Sequence, residues 1–194
     1  DPRPQLGQMP VVGGALSVGR NRLVDGRQQL VRVDRFLQEI LSAALHPDAK
    51  RLVTGGDDGA IKAISPTGEV ATLGEVRKWV DHLVSNAASG VIVAGVGKDA
   101  IVFKADKESH RFTHPSTIGG VALDGKGRRL AVSHYGGVTM RLVLAADDKG
   151  NTLKWAGSHL AVTQSPDGEY VLTGMQENAL HGWRLPEKTD LRMD

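Results

Sequence analysis

Four short apolar segments of this chain look alike and recur at nearly even spacing. They are Leu52-Val53-Thr54-Gly55, Val91-Ile92-Val93-Ala94-Gly95, Leu130-Ala131-Val132-Ser133 and Val171-Leu172-Thr173-Gly174. Their first residues stand 39, 39 and 41 positions apart. Self-similarity at a fixed period constrains a fold more than any single motif does. A period of roughly 40 residues is the length of four short strands with their turns.

The surroundings of each anchor agree. A tight turn comes before it: His46-Pro47-Asp48-Ala49-Lys50, Asn86-Ala87-Ala88-Ser89-Gly90, Asp124-Gly125-Lys126-Gly127 and Ser165-Pro166-Asp167-Gly168. Pro presets φ, Asp bonds back to the chain, and Gly accepts positive φ. An apolar strand precedes each turn, at 40–45, 80–84, 118–123 and 160–163. A third strand follows each anchor, at 60–64, 100–103, 138–143 and 179–185. A more polar fourth strand is read at 69–73, 109–113 and 152–155. The segment 35–45 has an amphipathic look (Phe36, Ile40, Leu41, Ala44), but the repeat register makes its second half an inner strand. The expectation is an all-β chain, a β-propeller of four-stranded antiparallel blades.

Two stretches carry a family resemblance. The first runs from Leu52 through Gly55-Gly56-Asp57-Asp58-Gly59 to Ile61; the second is Ser165-Pro166-Asp167-Gly168-Glu169-Tyr170-Val171-Leu172-Thr173, followed by Gly182-Trp183-Arg184. Both resemble the second-to-third-strand hairpin of WD-repeat proteins. The likeness extends from about Leu16 onward, and 158–185 is similar to bacterial WD-repeat proteins. The repeats are degenerate. Trp183 holds the family's Trp position but is followed by Arg184, and Ile64 holds that position earlier. The family's structural Asp survives as Asp58; Lys98, Tyr135 and Glu177 replace it elsewhere. Gly157-Ser158-His159 is the nearest approach to the usual Gly-His. The resemblance implies a buried Asp–His–Ser/Thr network in each blade, and these blades mostly lack its members, leaving packing to hold them.

The same register sets the expected organisation. Residues 36–78, 79–116 and 117–157 make three complete blades. Residues 158–194 supply a partial one, with the start of a fourth strand at Leu191. Residues 11–35 read as the second to fourth strands of another partial blade. The whole is an incomplete propeller, about half of the roughly seven blades with which such rings often close. An open arc exposes a blade face and strand edges at each end. The chain is therefore expected to be a piece of a longer propeller or to close a ring by self-association. It begins at Asp1 and not Met, so an upstream segment is expected to have been removed.

Composition excludes several classes. Lys plus Arg number 24 against 22 for Asp plus Glu, a net charge of +2. The longest basic cluster, Gly125-Lys126-Gly127-Arg128-Arg129, is a turn. No nucleic-acid groove is expected. There is no cysteine, which removes disulfides and Cys-based zinc sites and fits a reducing cytoplasm. No stretch has the length of a membrane span.

Local motifs add little chemistry. Gly95-Val96-Gly97-Lys98-Asp99 lacks the glycine spacing of a phosphate loop and reads as a hairpin turn. Ala15-Leu16-Ser17-Val18-Gly19 is one residue short of a nucleophile elbow. Asp57 and Asp58 lack the rest of a calcium loop. The seven histidines have no metal-ligand spacing, so no metal and no cofactor are expected. The resemblance implies a protein-interaction scaffold and not an enzyme. Its binding face, made by the hairpins and inter-blade connections, would comprise Asp57, Asp58, Lys78, Trp79, Lys98, His114, His134, Tyr135, Trp155, His159, Gln176 and Glu177. The expected partner is a protein or peptide. The alternative is a lactonase-like propeller hydrolase using Asp81 and His82 in the channel.

Overall fold

The computed structural model describes residues 39–185 and 189–193. The partial blade expected at 11–35 lies outside the described residues. Every described element is a β-strand. Strands β1 (Ile40–Leu45), β2 (Leu52–Gly56), β3 (Ala60–Ile64) and β4 (Val70–Glu75) form one antiparallel sheet in sequence order. Strands β5 (His82–Asn86), β6 (Val91–Val96), β7 (Asp99–Lys104) and β8 (Lys107–Thr113) form a second. The remaining strands are β9 (Ile118–Leu123), β10 (Arg129–Leu142), β11 (Asn151–Gln164), β12 (Tyr170–Met175), β13 (Leu180–Arg184) and β14 (Thr189–Met193).

These last strands are two blades joined through long elements. An extended run of 14 residues such as β10 would part its ends by roughly 40 Å. Instead, Val143 N–H donates to the Arg128 carbonyl at 2.9 Å, so β10 doubles back at Gly136 and Gly137, both at positive φ. One half of β10 pairs with β9 and the other with β11. The first half of β11 then closes the third blade, and its second half pairs with β12 as the inner strand of the fourth. The start expected at Leu191 is a five-residue strand, β14, paired along β13. Four blades thus stand in the described residues, in the incomplete propeller arrangement expected.

The repeat register needs one correction. The turn between first and second strands ends at equivalent residues Arg51, Val91, Arg129 and Tyr170, giving spacings of 40, 38 and 41. Val91 therefore matches Arg51 and not Leu52. All these segments are apolar, so composition alone does not reveal a one-residue slip. The slip matters because it exchanges the two faces of a strand. Ile92, Ala94 and Phe103 of the second blade point back to Val53 and Ile61 of the first. Val91, Val93 and Val102 point forward to Leu130 and Val132 of the third. Ala131, Val138 and Leu153 meet Val171 and Trp183 of the fourth. In the second and third blades the middle strands are covered on both faces, which explains their near-continuous apolar runs. Each fully buried Val, Leu or Ile contributes about 1.5–3 kcal/mol.

Short polar contacts fix the inner strands. The first residue of each inner turn accepts a backbone N–H with its own side chain: His46 Nδ1 from Asp48, Asn86 Oδ1 from Ser89, Asp124 Oδ1 from Arg128 and Ser165 Oγ from Tyr170. Inner-strand side chains also reach neighbouring blades. Ser42 Oγ donates to the Val80 carbonyl at 2.8 Å, Ser85 Oγ donates to that of Leu45, and Gln164 Nε2 donates to that of Ala122 at 2.8 Å. Inner strands β9 and β11 approach so closely that a Cβ on Gly119 would sit 2.0 Å from the His159 carbonyl oxygen. Gly119→Ala is expected to cost about 1–3 kcal/mol by overpacking, read as a lower urea midpoint. Gly174→Ala, whose Cβ would meet nothing nearer than 3.9 Å, should change stability by less than about 0.5 kcal/mol. In the β7–β8 turn, Ala105 and Asp106 have φ of 49° and 62°. Ala105→Asn should therefore raise stability by about 1 kcal/mol.

Candidate functional site

One end of the blades is built from second-to-third-strand hairpins and the connections between blades. Hydrogen bonds donated by backbone N–H groups tie each hairpin to a connection. Val76 N–H donates to Gly59 O at 2.9 Å, and Val80 N–H to Gly56 O at 3.0 Å. His114 N–H donates to Lys98 O at 2.8 Å, and Ile118 N–H to Gly97 O at 2.7 Å. Gln176 N–H donates to Ser158 O at 3.0 Å. Tyr135 N–H donates to Ser116 Oγ at 2.9 Å. The result is a row of short loops on rigid strand ends.

This end carries all twelve residues expected to form a binding face. Trp79 is 62% exposed and Tyr135 is 67% exposed. Lys78, Lys98, Gln176 and Glu177 are also exposed. Lys98 Nζ donates to the Pro115 carbonyl at 3.0 Å. Asp57 Oδ1 accepts the Glu39 N–H, and Asp58 caps its own hairpin through Ala60 N–H while pairing with Lys62 at 3.0 Å. Burial weighs against the Asp58 carboxylate, but the Ala60 and Lys62 hydrogen bonds outweigh it and lower its pKa. Trp155 is half-buried and stacks on His181 with ring centroids 3.9 Å apart.

The three predicted histidines lie beneath this surface and not on it: His114 and His134 are 3% exposed and His159 is 1% exposed. They line up as a supporting layer. His114 and His134 rings are 5.9 Å apart. His134 Nδ1–H donates to Tyr135 O at 2.9 Å, leaving Nε2 to accept from Thr139 Oγ1 at 2.8 Å. His159 Nε2–H donates to Trp155 O at 3.1 Å, leaving Nδ1 to accept from Thr173 Oγ1 at 2.8 Å. Trp183 lies 5.8 Å from the His159 ring. The fourth blade therefore keeps the His–Thr part of the network that the degenerate repeats mostly lack.

Burial and then the Arg141 charge push His114 down to about 4, against its hydrogen bond to the Lys98 carbonyl. Burial likewise lowers His159, opposed by its bond to the Trp155 carbonyl. A base with a depressed folded pKa contributes its full stability above the unfolded value of 6.5 and loses it as pH falls toward the folded one. The shift of His114 corresponds to roughly 3 kcal/mol. Denaturant melts should show stability falling between pH 6.5 and pH 4, and His114→Gln should flatten that fall. The depressed carboxylates of Asp58, Asp106 and Asp148 act at lower pH and keep their contribution across this window.

The inner strands line an open cavity of about 330 Å³, with Asp81, His82 and Ser42 among aliphatic residues and Gly119-Gly120. Among the described residues, no three His, Asp or Glu side chains gather as a metal site. The Gly97-Lys98 segment is a hairpin turn with Gly97 at φ 58°, followed by a strand. Sequence reasoning missed a cluster at the opposite end. There His46 Nε2 meets Asp106 Oδ1 at 2.7 Å, and Arg51 bridges Asp106 at 2.8 Å and Asp48 at 2.7 Å. This cluster joins the first two blades. Burial raises Asp106, but the His46 and Arg51 hydrogen bonds prevail and lower it. Its only sequence signal is that His46 occupies the capping place of Asn86 and Asp124.

No family model and no curated protein matches the chain. Solved structures do. The WD40 repeats of RRP9 superpose with a TM-score of 0.70 at 16% identity, over 83% of this chain and 52% of that one. The chain thus has the fold of WD-repeat propeller blades and spans about half the length of that neighbour. Among the described residues, no helix is long and apolar enough to cross a membrane.

Proposed function

We propose that the chain is a protein-interaction scaffold that binds a protein or peptide on the face made by its hairpins and connections. One observation carries this reading: Trp79 and Tyr135, large and rigid, stand 62% and 67% exposed at the same end. Well-packed aromatics ringed by polar groups are the usual anchors of protein interfaces. Lys78, Lys98, Gln176 and Glu177 supply that polar rim, and the buried histidines keep the loops in place beneath it. The WD40 likeness supports the fold on which such a face is built, while the function rests on the site. Self-association through the open blade ends belongs to the same reading. The absence of cysteine supports a reducing, cytoplasmic setting.

Selection of a displayed peptide library on the full chain tests the face. Enriched peptides should bind at least about ten-fold more weakly to Trp79→Ala or Tyr135→Ala, a loss of about 1.4 kcal/mol or more. Peptides indifferent to both substitutions, or no enrichment, would overturn the reading.

A further inference from the structure

The middle of the candidate face is a continuous track whose loops are fixed to one another. The connection between β4 and β5 carries Arg77, Lys78 and Trp79, all exposed. Lys78 lays its stem over the β6–β7 hairpin: a Cβ added to Gly97 would stand 3.1 Å from Lys78 Cδ and 3.2 Å from its Nζ. The next residue of that hairpin is the exposed Lys98, whose Nζ donates to the Pro115 carbonyl at 3.0 Å in the β8–β9 connection. Ser116, one residue on, accepts the Tyr135 N–H at 2.9 Å. In order of contact, Trp79 and Tyr135 therefore end a line that has Lys78 and Lys98 between them. Each of these loops lies between two described blades, within the first four, and not at an end of the arc.

The uncommitted charge on this track has one sign. Among the described residues, no carboxylate pairs with Arg77, Lys78 or Lys98. The acids of the neighbouring hairpins are already engaged. Asp58 pairs with Lys62 at 3.0 Å, Asp57 accepts the Glu39 N–H, and Asp99 accepts the Thr113 hydroxyl at 2.7 Å. A partner that covers Trp79 also takes the adjacent Lys78 out of water. Burying an ammonium without a counter-charge is costly, so the partner must bring one. We propose that the track recognises an acidic peptide segment, with its carboxylates on Lys78 and Lys98 and its apolar or aromatic side chains on Trp79 and Tyr135. This rests on the scaffold reading and adds the chemistry of the partner. Three cations with Asp57, Asp58 and Asp99 nearby do not make the sustained basic row that a nucleic-acid backbone requires. They suit a peptide of few charges, and they select against basic partners.

Parallel selection of three displayed peptide libraries on the full chain tests the proposal. One library is biased to Asp and Glu, one to neutral polar residues and one to Lys and Arg. Enrichment should come from the acidic library, with apolar residues among the carboxylates. Synthetic copies of the enriched peptides should bind at least about ten-fold more weakly to the double variant Lys78→Glu, Lys98→Glu, and should weaken as salt rises from about 0.05 to about 0.5 M. Replacing their Asp and Glu with Lys should restore binding to the double variant. Both substituted residues are exposed, and matched circular dichroism melts check that the variant folds. Peptides from the neutral or basic library that bind through Trp79 and ignore the double variant would overturn the acidic partner and leave the scaffold standing. A single-stranded oligonucleotide that binds more tightly than any acidic peptide, and is lost in the double variant, would also overturn it. No enrichment from any library would remove the scaffold reading as well.

Discussion

Every blade here depends on cover from its neighbours. A four-stranded antiparallel sheet whose middle strands are apolar on both faces cannot remain alone in water. It gains stability only when another sheet lies against each face. The described residues meet this demand with three layers of Val, Ile, Leu and Ala, and among them only Trp183, Phe103 and Phe112 are large buried aromatics. The sequence period follows from that demand, since a blade is the smallest unit that can be stacked. The hairpin end follows too, because loops stitched to the next connection lie where two covered blades meet.

Much of this was legible in the residues. Alternation, turn chemistry and the recurrence of apolar anchors locate nearly every strand, and β1, β3 and β9 fall where the turns place them. The register of the second blade was not legible. Val91, Ile92 and Val93 are equally apolar, and only the pairing of Asn86 with Val91 decides which face each takes. The long form of β11 was also hidden, because a polar outer strand and a mixed inner strand carry no mark of being continuous.

The candidate face was legible by position but not by depth. Register puts His114, His134, His159, Trp79 and Tyr135 at one end; packing decides that the imidazoles are interior and the two aromatics exterior. A histidine in a connecting loop reads the same whether it greets solvent or holds a carbonyl beneath it. The His159–Thr173 bond shows why the distinction matters. A network that looks lost when each motif residue is counted is partly kept once the chain brings its members together. The His46–Asp106–Arg51 cluster adds the reverse case, a tie between blades made by turn residues that no motif marks.

Dependence of each blade on two covered faces is the central claim, and amide hydrogen exchange tests it most directly. In dilute solution, β6 and the first half of β10, covered on both sides, should be the slowest to exchange. Strands β12 and β13 should exchange clearly faster, because the forward face at Leu180 is open. Equal protection of the fourth blade and the second would contradict the account, since it would mean that a blade here is stable without a neighbour on each face.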